Sequence, residues 1–176
     1  EGVAPFTVLS CDNLPENGAL VRQIVLDFAH LIDPTLAQWI GENGRFPATM
    51  VDRITPATTS ADIARVTAET GLYDSAPVLH EPFRQWVIED NFVRDMRPDF
   101  NAVGVEIVKD VSRFEQMKLR MLNGSHSALA YLGYLAGHET ISDTVADPAF
   151  AAYVRQLWAE IMPVVRAPQG FDLQVY

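Results

Sequence analysis

The chain has 176 residues, within the range of one domain or two small ones. Hydrophobic residues make up 48% and charged residues 20%, a globular balance that excludes a disordered chain. Lys and Arg total 13 against 23 Asp and Glu, and the formal charge of -10 repels phosphate backbones, which argues against a nucleic-acid partner.

Cys11 is the single cysteine, so no disulfide framework and no cysteine-based zinc site is expected. A reducing, cytoplasmic setting is the default expectation. The longest weakly polar stretch, 128–137, is far short of a bilayer span, so no membrane partner is expected. Residues 1–5 show no basic segment followed by an apolar one, the mark of a signal peptide. The chain begins without Met and reads like mid-domain sequence at both ends, as a piece of a longer protein would.

In chain order, Phe6-Thr7-Val8-Leu9 reads as a short buried strand running into the polar end Ser10-Cys11-Asp12-Asn13. Pro15 and Asn17 introduce a helix with Val21, Ile24, Val25, Phe28 and Leu31 on one stripe. Asp33-Pro34 starts a shorter helix through Trp39, ended by Gly41 and Gly44. The run from Thr49 to Ile54 reads as a strand stopped by Pro56. Ser60-Ala61-Asp62 opens a helix that ends near Gly71. Val78-Leu79-His80, Gln85-Trp86-Val87-Ile88 and Val105-Glu106-Ile107-Val108 are further strand candidates.

From Ser112 to Val165 helix formers dominate. Phe114 to about Asn123 forms one helix, and Ser125 to Gly137 a second or a continuation kinked at Gly124. Asp147-Pro148 caps another, which Pro163 ends. The predicted fold class is α/β followed by all-α, with domains at 1–110 and 111–176.

The densest chemical candidate is the run 115–127. On a continuous α-helix with Lys118 at 0°, Glu115 falls at about 60°, His126 at about 80° and Asn123 at about 140°. Phe114, Met117 and Met121 fall on the other side, but Leu119 and Leu122 do not respect this division, so a helix buried nearly all round, with one polar stripe facing a cavity, is expected. A buried Lys is a known route to a base, because burial penalises the ammonium. An Asn amide can donate to a developing alkoxide, and a His can hold a second hydroxyl. The alternative is a surface helix with Glu115 and Lys118 as an i,i+3 pair and His126 as a satisfied core group.

Asn13 ends the first strand, where α/β sheets line ligand crevices, or it is a turn residue before the Pro15 helix. Asp52 and Arg53 can bind a polyhydroxyl ligand, or pair with each other and with water. No G-x-G-x-x-G, no G-x-x-x-x-G-K and no G-x-S-x-G is present. His30, His80 and His138 lack metal-ligand spacing. Gly133 and Gly137 form G-x-x-x-G, which in a helix of this kind marks close packing.

Four blocks together resemble the mannitol dehydrogenase family, the long-chain polyol dehydrogenases, which include mannitol 2-dehydrogenases and fructuronate reductases. They are Ser10-Cys11-Asp12-Asn13-Leu14-Pro15-Glu16-Asn17-Gly18, then Phe46-Pro47 with Met50-Val51-Asp52-Arg53-Ile54-Thr55-Pro56. The others are Glu81-Pro82-Phe83-Arg84-Gln85-Trp86-Val87-Ile88-Glu89-Asp90 and Lys118-Leu119-Arg120-Met121-Leu122-Asn123-Gly124-Ser125-His126-Ser127. The likeness covers essentially the whole chain, and its last block is highly specific.

The resemblance implies a Rossmann-like domain followed by a mostly helical one, with the active site between them. It implies metal-independent hydride transfer between NAD and a sugar alcohol or sugar acid. It assigns Lys118 as general base, Asn13 and Asn123 as the amide pair on the reacting oxygen, and His126 as a substrate-positioning residue. Glu115 resembles a proton-relay or gate residue, and Asp52 a substrate-binding one. Met121, Gly124 and residues 129–137 lean toward the fructuronate reductases. Residues 1–110 correspond to the C-terminal part of the nucleotide-binding domain, and 111–176 to the start of the helical substrate domain. The Gly-rich nucleotide fingerprint of that family is absent, so the 176 residues alone are expected to be inactive. The alternative is a non-catalytic remnant that acts only in packing or association.

Overall fold

The computed structural model describes residues 3–176. They form two compact units, the first ending at Lys109 and the second beginning at Asp110.

In the first unit, helix α1 (Asn17–Ile32) and helix α2 (Pro34–Asn43) pack together. Asp33 ends one and caps the other: its carboxylate accepts from Thr35 N–H, and Pro34 takes the first helical position. Strands β1 (Thr49–Asp52), β2 (Gln85–Glu89) and β3 (Glu106–Val108) form a sheet in the order β1-β2-β3. β1 runs antiparallel to β2 with Asp52 opposite Gln85, and β2 runs parallel to β3 with Ile88 opposite Ile107. Helix α3 (Ser60–Thr70) lies between β1 and β2 in sequence. Its cap is Thr59 rather than Ser60, in a reciprocal box with Asp62, and Gly71 ends it at φ 72.

Two clusters fill this unit. Ala29, Ile40 and Phe46 are packed by Val8, Val21, Val25, Leu26 and Ala37. Ile88, Phe92 and Val105 are packed by Leu9, Trp86, Phe100 and Ile107. The stripe expected on α1 is therefore only half used. Val21 and Val25 turn to the core, while Ile24, Phe28 and Leu31 are exposed, Leu31 to 83%.

Two strand expectations do not hold. Phe6–Leu9 makes a single parallel bridge, Thr7 to Arg45, and is half-buried to exposed, because it lies beside Arg45 and not in the sheet. Val78–His80 is irregular. The chain there is tied to the end of β1 instead, with Glu81 N–H donating to the Ile54 carbonyl at 3.2 Å.

The second unit is all helical: α4 (Ser112–Met117), a π-helical segment (Lys118–Asn123), α5 (Gly124–Leu135), α6 (Ile141–Ala146) and α7 (Pro148–Ile161). Asp147 caps α7 as its Asp-Pro start implies. α6 has no counterpart among the sequence-based expectations. Phe114 packs edge-on against Phe171 with ring centroids 5.1 Å apart. Among the described residues, no helix is long and apolar enough to cross a membrane.

Candidate active site

In the first unit, Asn13 is an exposed residue at the centre of a tight turn. Leu14 N–H donates to the Asp12 carbonyl across it at 2.9 Å. The turn is held from behind by Asn17, at the start of α1, whose Nδ2 donates to the same carbonyl at 2.9 Å. Asp52 is the last residue of β1 and is buried. Its neighbour Arg53 donates to the Phe83 carbonyl at 3.2 Å and lies 3.4 Å from His80 Nε2, so it secures the 80–83 loop.

In the second unit, Glu115, Lys118, Asn123 and His126 follow one another along an unbroken helical path. Lys118 is 8% exposed, Glu115 and Asn123 are half-buried, and His126 is exposed. The path is not one α-helix. Gly124 N–H donates to the Leu119 carbonyl, an i→i+5 bond that makes 118–123 a π-helical turn. Such turns are rare and recur at functional sites.

Two expectations change as a result. The α-helical wheel set Lys118 and Asn123 about 140° apart. A turn that closes i→i+5 stacks residues five apart, so it narrows that angle. The helix is also not buried nearly all round: Gln116 and Arg120 are exposed, and Leu119 is 56% exposed. Lys118 lies with the buried set of Phe114, Met117, Met121 and Ser125 and not opposite it. Gly124 has helical backbone angles, φ -62 and ψ -45, so the break from the α-helix is a widened turn and not a glycine kink.

Two contacts hold this path against the end of the unit. Trp158 Nε1 on α7 donates to Ser125 Oγ at 2.7 Å, and Arg120 Nη1 donates to the Val164 carbonyl at 2.9 Å. Sequence reasoning missed Ser125, Trp158, Asn17 and Thr49. Their residue types occur as often on surfaces; burial marks Ser125, Asn17 and Thr49, and its hydrogen bond to Ser125 marks Trp158.

A dinucleotide needs backbone N–H groups at a glycine-rich strand-to-helix turn for its pyrophosphate. Gly18, near the start of α1, does not supply one: a Cβ there would lie 2.5 Å from the Phe46 carbonyl oxygen and 2.7 Å from Ala48 N. Its space is taken by the chain itself. The residues present do not fit a pyrophosphate cradle. Among the described residues, no three of His, Cys, Asp and Glu cluster as a metal site would require.

Comparison with known proteins agrees with this division. Residues 1–102 match the mannitol dehydrogenase Rossmann domain, and residues 110–176 match the mannitol dehydrogenase C-terminal domain. The chain is 53% identical to the D-mannonate oxidoreductase of Escherichia coli (strain K12), over 100% of this chain and 36% of that protein. A Pseudomonas fluorescens mannitol 2-dehydrogenase, solved as a ternary complex with NAD and D-mannitol, matches with a TM-score of 0.83 and 46% identity. A substrate-free D-sorbitol dehydrogenase matches with a TM-score of 0.93 and 41% identity. Each structural match covers 99% of this chain and 36% of the solved one. The chain thus spans about a third of the length of these relatives, and an α/β unit followed by an all-α unit is their shared fold. It belongs to the mannitol dehydrogenase family.

Proposed function

We propose that this chain forms the substrate-side part of an NAD-dependent oxidoreductase. The reaction interconverts a secondary alcohol of a linear polyol or sugar acid and the matching ketose or keto-uronate, without a metal. Residues 1–110 are the C-terminal part of its nucleotide-binding domain, and 111–176 the start of its helical substrate domain. The observation that carries this reading is the buried Lys118 opening a π-helical turn that ends at Asn123.

Oxidising a secondary alcohol removes a proton from oxygen and a hydride from carbon. Lys118 takes the proton. Asn123 and Asn13 donate amide N–H groups to the same oxygen, whose charge grows as the proton leaves. His126 holds a neighbouring hydroxyl, Glu115 passes the proton onward from Lys118, and Asp52 binds a further hydroxyl of the chain-form sugar. Bound in the whole enzyme, NAD would supply the hydride acceptor. The residues here hold the proton and the oxygen, and they lack the pyrophosphate cradle. The 176 residues by themselves are therefore inactive in this proposal.

Of the two substrate pairs, mannonate/fructuronate, the reaction of a fructuronate reductase, has the support of the 53% identity to a D-mannonate oxidoreductase. The test is NADH formation by the full-length enzyme with D-mannitol or D-mannonate. Turnover of either supports the proposal, with mannonate expected to be faster. NAD-dependent turnover of neither overturns it.

A further inference from the structure

We propose that Asn17 and Thr49 are positioning residues: a buried clamp that fixes where the Asn13 amide stands relative to Asp52. This rests on the role proposed above for Asn13.

Asn17 and Thr49 are each 2% exposed. Asn17 Nδ2 has two hydrogens and three acceptors in reach: the Asp12 carbonyl at 2.9 Å, Thr49 Oγ1 at 3.0 Å and the Thr49 carbonyl at 3.1 Å. Its Oδ1 accepts from Thr49 N–H at 2.9 Å. Thr49 Oγ1 in turn donates to the Ser10 carbonyl at 2.6 Å. The amide of Asn17 and the hydroxyl of Thr49 thus grip the 10–13 segment at two of its carbonyls.

One of those two is the Asp12 carbonyl that closes the turn around Asn13. The direction in which Asn13 leaves the chain is therefore set by Asn17. The other end of the clamp is the first residue of β1, and Asp52 is the last residue of that four-residue strand. One rigid strand and one hydrogen-bonded side chain thus join the two site residues of this unit. Gly18 lets α1 approach closely enough for the grip, since any side chain there would strike the backbone of 46–48.

A clamp of this kind satisfies buried polar groups whatever its purpose, so a loss of stability alone does not test it. The discriminating measurement is a double-mutant cycle in the full-length enzyme, with NAD and whichever of D-mannitol and D-mannonate it turns over. Thr49→Val keeps the shape and removes the hydroxyl. It is expected to lower kcat by about 10²-fold, the scale of an ångström's misplacement, with little change in NAD affinity. Thr49→Ser is expected to restore most of the turnover. In an Asn13→Ala background, Thr49→Val is expected to cost less than about twofold, because the group it positions is gone.

If the full loss persists in the Asn13→Ala background, or if Thr49→Val turns over normally, the clamp has no positioning role and the inference is overturned. If Asn13→Ala alone retains full turnover, the role of Asn13 fails first, and that outcome is distinct from the other two. Should Thr49→Val not fold, Thr49→Ala removes the same hydroxyl and is read by the same cycle.

Discussion

Lys118 and Asn123 are the first and last residues of one π-helical turn, closed by Gly124 N–H on the Leu119 carbonyl. The extra residue in the turn narrows the angle between Lys118, the proposed base, and Asn123, the proposed amide donor. Lys118→Ala in the full-length enzyme should lower turnover by about 10² to 10⁴, the usual contribution of a general base. NAD affinity should barely change, since the role proposed for Lys118 is toward the substrate oxygen. Steady-state kinetics beside a nucleotide titration reads both quantities. Near-normal turnover would mean that the base is another residue.

The turn is held by its neighbours. Trp158 donates to the buried Ser125 hydroxyl at 2.7 Å, directly after the turn ends. Trp158→Phe keeps the ring packing and removes the donor. It should destabilise the protein by about 1 kcal/mol, the typical net value of one hydrogen bond. Ser125→Ala should cost less, because the indole of the partly exposed Trp158 can then turn to water. Thermal unfolding of the two variants gives the order, and the reverse order would contradict this account.

Much of this was legible in the sequence, and the rest has physical reasons for escaping. β1 and β2 were readable because β-prone runs lie between breakers, with Pro56 after one and Pro82 before the other. Phe6–Leu9 looks the same in composition, but whether such a run joins a sheet depends on what lies beside it, here Arg45. Helix α6 is only six residues long, too short to show a periodic stripe, although Thr140 and Asp143 spell its capping box. The Lys118 block stands out as a chemical candidate from residue type. Its π-helical turn was not, since no periodicity rule announces an inserted residue. Asn17 reads as a helix-start residue, and only the structure reveals it facing inward onto Thr49.

Cys11 lies at the surface beside the Asn13 turn, and its thiol is pushed above its ordinary value. Partial removal from water is the larger cause, and the Asp12 carboxylate adds to it. The thiolate is the reactive form, so alkylation by iodoacetamide near pH 8 should be slower than for an unstructured cysteine peptide. Asp12→Asn should speed it by removing the charge. Equal rates for protein and peptide would contradict the shift.

Asp62 is held below the usual carboxylate range, first by the Thr59 hydroxyl and then by the Thr59 backbone N–H. A carboxylate with a lowered folded value stabilises above its unfolded value. That contribution is lost as pH falls through the folded one. Thr59→Val should therefore move the Asp62 titration upward and make α3 fray at a higher pH than in the parent. Carboxyl NMR titration measures the first effect and amide exchange in 60–70 the second. An unmoved Asp62 titration would mean that the cap is not what lowers it.

Gly133 and Gly137 are spaced alike but serve different ends. A Cβ at Gly133 would collide with Thr144 Oγ1 and lie 3.0 Å from its Cβ. Thr144 is itself buried, with its hydroxyl donating to the Thr140 carbonyl, so it cannot swing aside. Close packing of α5 on α6 is thus the role of Gly133. Gly137 meets nothing within 4 Å but stands at φ 89. His138 N–H donates to the Gly133 carbonyl at 2.9 Å and Gly137 N–H to the Tyr134 carbonyl at 3.1 Å, the paired bonds of a Schellman helix end. Gly133→Ala should cost about 1 to 3 kcal/mol as overpacking. Thr144→Ala should relieve part of that cost, because it removes the colliding atoms. Gly137→Ala should cost roughly 1 kcal/mol through its backbone, be eased by Asn at that position, and be indifferent to Thr144. A Thr144→Ala cycle with each glycine variant separates the two roles. Coupling of Thr144 to Gly137, or none to Gly133, would contradict the division.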